Sequence, residues 1–352
     1  MAENESILNG LPETPQSTLA EAQPESLQVS IVVPCYNEEK TIGLLLQAIY
    51  DQSYPCESME ILVADGGSTD DTRLRIAEFN KSHPNVRIRV VENPKRSIPA
   101  GLNAAIQASQ GSWIVRLDAH SIPDREYVAR CVSALQQGLG ELVGGVWDIR
   151  PRDQSWQARA IALAASNPLA VGDARYRYTR TAQEVETVPF GAFQRSLMER
   201  IGYFDESLQT NEDYEFNTRL RKSGGRIWLD PSIRSVYFAR PNLRELARQY
   251  WRYGFWKVRM LRHHPGTLRW RQALPPLFVL SLAVLLLLTP FYSIAGWLFV
   301  IESSIYLTVL VLAGLHAAWK QRDLSLIAGI PLAVASMHFA WGSAFLWSLI
   351  IR

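Results

Sequence analysis

An excess of charge of either sign is missing from this 352-residue sequence: Lys+Arg number 36 and Asp+Glu 34. No global field therefore draws the chain to nucleic acid. Cysteine is scarce as well. Cys35, Cys56 and Cys131 form no even framework and no metal-ligand spacing, which excludes a disulfide scaffold and a cysteine zinc site. They read as small core thiols in a reducing compartment. No G-x-G-x-x-G turn follows the first strand-like run, because VSIVVP leads into PCYNEE; this sets a dinucleotide oxidoreductase aside. The opening stretch MAENESILNGLPETPQS has neither a basic n-region nor an apolar h-region, so no cleavable signal peptide is expected. Its Glu, Ser, Pro and Gln content predicts a disordered tail over 1–28.

Local absences say more. Residues 1–28 have acids but no Lys or Arg, whereas 252–271 have no acid but carry Arg252, Lys257, Arg259, Arg262, Arg269 and Arg271. Three later stretches almost lack charge: 273–290 and 324–351 have none, and 294–315 has only Glu302. Each is long enough to cross a hydrocarbon core of about 30 Å, which takes about 20 helical residues. Lys320 and Arg322 sit in the second connecting loop, and TPFYS (289–293) is uncharged. The Lys/Arg bias then predicts that residues 1–272 lie on the cytoplasmic side and that the C-terminus lies outside. Glu302 is an intramembrane charge of unassigned role.

From Val29, short apolar runs alternate with helical periods. Strands are expected at 29–34, 59–65, 86–92 and 112–118, and helices at 39–52, 69–82, near 97–109 and at 124–137. This order predicts an α/β domain with a mainly parallel sheet and right-handed crossovers. Ligands in such sheets gather at the carboxyl ends of the strands. PCYNEE, ADGGSTDD and DAHS follow the first, second and fourth strands, so all three are expected along one edge. Taken alone, DGGSTDD is either an anion-binding helix start or a capped turn. In VRLDAHSIP (115–123), Asp118 and His120 stand two apart. In an extended chain they would point to one side and could share a ligand; alone they equally describe a hydrogen-bonded strand end.

The ordered pieces VSIVVPCYNEE, ILVADGGSTDDT, RLDAH, GAFQRSLMERIGYFDES, NEDYEFNTRLRKSGGRI and QYWRY resemble glycosyltransferase family 2. Within it, DAH followed by C-terminal spans is most similar to the membrane-bound transferases of succinoglycan-type exopolysaccharide biosynthesis. The resemblance implies a GT-A nucleotide-binding domain at 29–240, a basic aromatic interfacial segment at 241–272 and three transmembrane helices at 273–351. It also implies inverting transfer from a nucleotide-sugar donor, a UDP-sugar foremost, to a polyprenyl-linked saccharide at the inner membrane beside other polysaccharide-assembly enzymes. Transfer to polyprenyl phosphate and a non-catalytic nucleotide-sugar-binding scaffold subunit are the alternatives.

By the same resemblance, Pro34, Tyr36 and Glu38 line the nucleoside pocket and Asp65 contacts the base. Asp118 and His120 hold a divalent cation, Mn²⁺ or Mg²⁺, and the His in place of a second acid favours Mn²⁺. Asp213 is the general base with Glu212 beside it. Gln249 and Arg252 of QYWRY reach the substrates, the guanidinium being suited to phosphate. On residues alone, Asp213 could instead cap its helix, and Arg252 could belong to an interfacial helix.

Overall fold

The computed structural model describes residues 27–172, 174–265 and 268–351. Most of the expected tail (1–26) and residues 266 and 267 of the basic stretch lie outside the described residues. The strands are β1 (Val29–Cys35), β2 (Met59–Asp65), β3 (Arg87–Glu92), β4 (Trp113–Arg116), β5 (Ile122–Pro123), β6 (Leu142–Arg150), β7 (Gln183–Glu184), β8 (Ala192–Gln194) and β9 (Ile227–Phe238). The helices of the first half are α1 (Ile42–Tyr50), α2 (Thr72–Ser82), α3 (Ile98–Ala108), α4 (Tyr127–Gln136), α5 (Trp156–Ala165) and α6 (Pro168–Val171). Then follow α7 (Leu197–Ile201), α8 (Glu212–Lys222), α9 (Leu243–His263), α10 (Trp270–Leu288), α11 (Ser293–Gln321) and α12 (Leu326–Ile350).

One sheet runs β3-β2-β1-β4-β8-β6-β9-β5, with β7 also on β9. Its first four strands are parallel, as are β6 and β9; β8 runs antiparallel to both neighbours. β2 is buried at every position, as a central parallel strand covered on both faces should be. β3 is mostly exposed and carries Arg87, Arg89 and Glu92, charges that blunt a sheet edge. Cys35 and Cys131 are buried free thiols.

The two Asp/Asn-rich segments after β1 and β2 tie to each other. Ser68 Oγ accepts from Asn37 N at 2.9 Å, Asn37 Oδ1 from Thr69 N at 2.8 Å and Thr72 Oγ1 from Glu38 N at 2.7 Å. Asp70 accepts from Thr72 N (3.1 Å) and Glu39 N (3.2 Å). The hydrogen bonds of these segments go largely to one another, which explains why α1 and α2 begin three residues later than the periodicity predicts.

Three helices, α10, α11 and α12, are long and apolar enough to cross a membrane. α12 is the most buried of them and packs against α9, α5, α10 and α11. Small residues permit the approach: a Cβ on Gly254 would meet the Trp341 carbonyl at 2.4 Å, and one on Gly342 would meet that of Pro275 at 2.6 Å. Ile161, Leu246, Leu310, Ile330, Val334 and Met337 share one apolar core. The sheet domain and the apolar helices are thus packed against one another through α5, α9 and α12.

Candidate active site

β4 ends at Arg116, and Asp118–His120 form a turn beyond it. The side chains therefore owe their common direction to that turn and not to the pleat of a strand. Ser121 closes it, donating N–H at 2.9 Å and Oγ–H at 2.7 Å to the Asp118 carbonyl. His120 Nδ1 lies 3.1 Å from Glu38 Oε1. Burial alone would lower the His120 pKa, but the Glu38 hydrogen bond and the charges of Asp118 and Glu38 raise it. With Nδ1–H donating to Glu38, Nε2 keeps its lone pair for a ligand.

Arg116 joins the turn to α8. Its Nη2 donates to Glu212 Oε1 at 3.0 Å and reaches Asp118 Oδ1 at 3.4 Å. Its Nε and Nη1 are buried without a hydrogen-bond partner among the described residues. Asn211, in the left-handed region at φ 70°, occupies the N-cap position of α8, which places Glu212 and Asp213 in the first turn, where the helix dipole favours negative charge. Asp213 follows the cap and does not form it; its Oδ1 accepts from Tyr214 N at 2.9 Å. Burial first, then the neighbouring Asp213 charge, push Glu212 up to about 7 against the pull of Arg116.

One cavity of about 1320 Å³ contains these groups. Arg116, Asp118, His120, Glu212 and Asp213 line it, as do Gln249 and Arg252 on α9. Phe278, Tyr306, Met337, His338 and Trp341 of the apolar helices line it too. Gln249 Nε2 donates to the phenols of Tyr237 (3.1 Å) and Tyr253 (2.9 Å), and Arg252 is exposed at the wall. Pro34, Tyr36, Glu38 and Asp65 do not line this cavity; Glu38 touches it through His120. Asp65 is fully buried, held by Arg73 Nε at 2.5 Å and Ser68 Oγ at 2.5 Å. Tyr36 is exposed, with the Arg96 guanidinium 6.0 Å from its ring centre.

Sequence reasoning missed Arg116 and the aromatic wall of Trp147, Tyr176, Tyr237 and Tyr253. Arg116 had a signal, since it stands two before Asp118 as His120 stands two after it. The aromatic residues come from separated segments, and only the fold brings them together.

Lys257 of α9 is 1% exposed, with Nζ 3.9 Å from the centre of the Tyr214 ring. Burial first, then Arg221, push its pKa down to about 7. An ordinary lysine titrates near 10.5, so between those values the unfolded chain holds the extra proton. This contribution to stability is complete above about pH 10.5 and is lost as pH falls toward 7. Unfolding free energy should rise with pH across that window, by at most about 1.4 kcal/mol per unit. Denaturant titration of the solubilised protein checks this: Lys257→Met should remove the slope.

The profile described as "Glycosyl transferase family 2" matches residues 30–202. The succinoglycan biosynthesis protein ExoA of Rhizobium meliloti is 31% identical over 320 residues, which cover 90% of this chain and 93% of that protein. The chain belongs to glycosyl transferase family 2. This glycosyltransferase is also 29% identical over 248 residues to a dolichyl N-acetyl-alpha-D-glucosaminyl phosphate 3-beta-D-2,3-diacetamido-2,3-dideoxy-beta-D-glucuronosyltransferase of Methanococcus voltae. That match covers 69% of this chain and 76% of the relative. Among solved structures, the mannosyltransferase PcManGT from Pyrobaculum calidifontis, in complex with GDP-Man and Mn²⁺, superposes with a TM-score of 0.60 at 22% identity. The superposition covers 89% of this chain and 87% of that one. The fold of the glycosyltransferase is accordingly the expected GT-A α/β fold followed by three apolar helices.

Proposed function

We propose that this glycosyltransferase transfers a sugar, with inversion, from a nucleoside-diphosphate sugar to a lipid-linked saccharide in exopolysaccharide assembly. The observation that carries the proposal is the continuity of one cavity from Asp118, His120 and Asp213 to side chains of α10, α11 and α12. A soluble donor is served at one end and a lipid-borne acceptor at the other. Arg159 Nε lies 2.9 Å from Asp323 Oδ2, so the α11–α12 loop sits on the same side as the catalytic domain. The Lys/Arg bias makes that side cytoplasmic, in the inner membrane.

The acceptor hydroxyl attacks the anomeric carbon from the side opposite the diphosphate. Asp213 takes its proton as the new C–O bond forms and the bond to the diphosphate breaks. A single base facing the leaving group across the sugar gives inversion. Nε and Nη1 of Arg116, without a partner among the described residues, supply positive charge beside the site where the departing oxygens gain negative charge. Asp118 and His120 fit a divalent cation: one carboxylate oxygen and one imidazole Nε2, with Glu38 orienting the ring. No third His, Cys, Asp or Glu among the described residues joins them, so phosphate oxygens and water would complete the shell, as Mn²⁺ and Mg²⁺ accept. When bound, such a cation would supply positive charge against the leaving diphosphate.

Membranes containing the chain, given labelled nucleotide sugars and polyprenyl-linked saccharides, should yield organic-extractable label from one donor, with inverted anomeric configuration by NMR. Retention of configuration, or label only in water-soluble products, would defeat the proposal. Glu38→Gln should weaken Mn²⁺ binding about 10–100-fold, read by electron paramagnetic resonance in the presence of a nucleoside diphosphate. Unaltered affinity would remove Glu38 from that role.

A further inference from the structure

Arg177 is nine-tenths buried on the wall of the same cavity. Its guanidinium lies 4.9 Å from the Trp147 ring centre and 5.4 Å from that of Tyr176. Nη1 donates to the Ala165 carbonyl at 3.3 Å, and Nε approaches the Tyr176 hydroxyl at 3.4 Å. Among the described residues no carboxylate pairs with it. Arg269 and Arg271 on the same cavity wall, by contrast, both pair with Glu186. A buried charge is costly unless paired; among the described residues, aromatic faces, the Ala165 carbonyl and the Tyr176 hydroxyl offset part of that cost. An anion entering the cavity would supply the rest.

Resting on the proposed function, we infer that Arg177 and its aromatic cage form the acceptor's phosphate site, taking the phosphate that joins the saccharide to its lipid. Three features select this ligand. A guanidinium matches phosphate geometry with paired N–H donors. Trp147, stacked 4.2 Å from Tyr237 and edge-on to Tyr176, lies under the Arg177 guanidinium and holds it in one orientation for an incoming phosphate. Beyond it, Phe278, Tyr306 and Trp341 continue the cavity along the apolar helices, where an isoprenoid chain has apolar company. Arg177 is thus a specificity residue for acceptors that carry a phosphate, separate from the donor half at Asp118 and His120.

The test uses the full chain in lipid nanodiscs with saturating nucleoside diphosphate and Mn²⁺, so that the donor half is filled. Short-chain polyprenyl phosphate, the matching polyprenol and inorganic phosphate are titrated calorimetrically into wild type, Arg177→Gln and Arg177→Lys. Arg177→Gln should bind polyprenyl phosphate about tenfold more weakly while polyprenol affinity is unchanged, and the KM for the lipid-linked acceptor should rise with donor KM held. Inorganic phosphate binding that depends on Arg177 as strongly as polyprenyl phosphate binding does would assign the site to free phosphate and overturn the lipid assignment. Equal loss of polyprenol and polyprenyl phosphate would make Arg177 a wall residue only, and no loss would also overturn the inference. If Arg177→Gln does not fold, Arg177→Lys decides: a preferential loss of polyprenyl phosphate by about threefold supports the site, and an unchanged ratio of the two affinities rejects it. Failure of the wild type to glycosylate any lipid-linked acceptor would sink the proposed function instead, and the titrations would still report on Arg177.

Discussion

Asp213→Asn should fold, bind donor with near-normal affinity and turn over about 10²–10⁴-fold more slowly. The substitution is nearly isosteric, and an Asn Oδ1 can still accept the Tyr214 N–H that Asp213 accepts at 2.9 Å, so the first turn of α8 is kept. What disappears is a carboxylate able to take the acceptor's proton. Glu212 is the rival base, because burial and the Asp213 charge push it up to about 7. Its geometry argues for a different role: it is 5% exposed and its Oε1 is bound by Arg116 at 3.0 Å. Glu212→Gln should therefore disturb Arg116 and donor KM, and Asp213→Asn should fall on kcat. Steady-state kinetics with both substrates varied distinguishes the two. A kcat for Asp213→Asn within a few-fold of wild type would move the base elsewhere.

Asp118→Asn should lose about 10³-fold in activity, together with donor-dependent binding of Mn²⁺. Asp118 supplies the only carboxylate proposed to hold the cation, and the imidazole of His120 alone is a poor anchor for Mn²⁺ or Mg²⁺, both of which favour oxygen. The fold should persist, because Arg116 keeps Glu212 as its buried partner. Electron paramagnetic resonance of Mn²⁺, with and without nucleoside diphosphate, reports the binding loss independently of turnover. A chelator should reproduce the activity loss in the wild type. Undiminished turnover in chelator would remove the cation from the chemistry and leave Arg116 as the main stabiliser of the diphosphate.

Much of the frame was legible because it is written in local periodicity. β1 to β4 and α1 to α4 appear in the expected order, with the two-residue β5 as an unexpected addition, and each apolar run became a helix long enough to span a bilayer. The strands that follow Gln137 were not legible. β8 is three residues long and antiparallel, and its pairing is set by a sheet edge already built, which no short window contains. The grouping of Asp118, His120, Glu212 and Asp213 came from ordered motifs, and the structure lines one cavity with all four. The partners of Glu38 and Asp65 were not legible, since His120 lies 82 residues from Glu38 and Arg73 engages Asp65 only after α2 turns back over β2. Arg177 was invisible for the same reason: its cage draws on β6, β9 and the segment before β7, which meet only in three dimensions.

The most direct measurement is a structure of the chain in lipid nanodiscs with Mn²⁺ and a non-transferable nucleoside-diphosphate sugar. The diphosphate is expected at Asp118, His120 and Arg116, with the anomeric carbon turned toward Asp213 and the cavity continuing to α10, α11 and α12. A donor bound with its diphosphate away from Asp118, or a sugar whose anomeric carbon faces away from Asp213, would contradict this expectation.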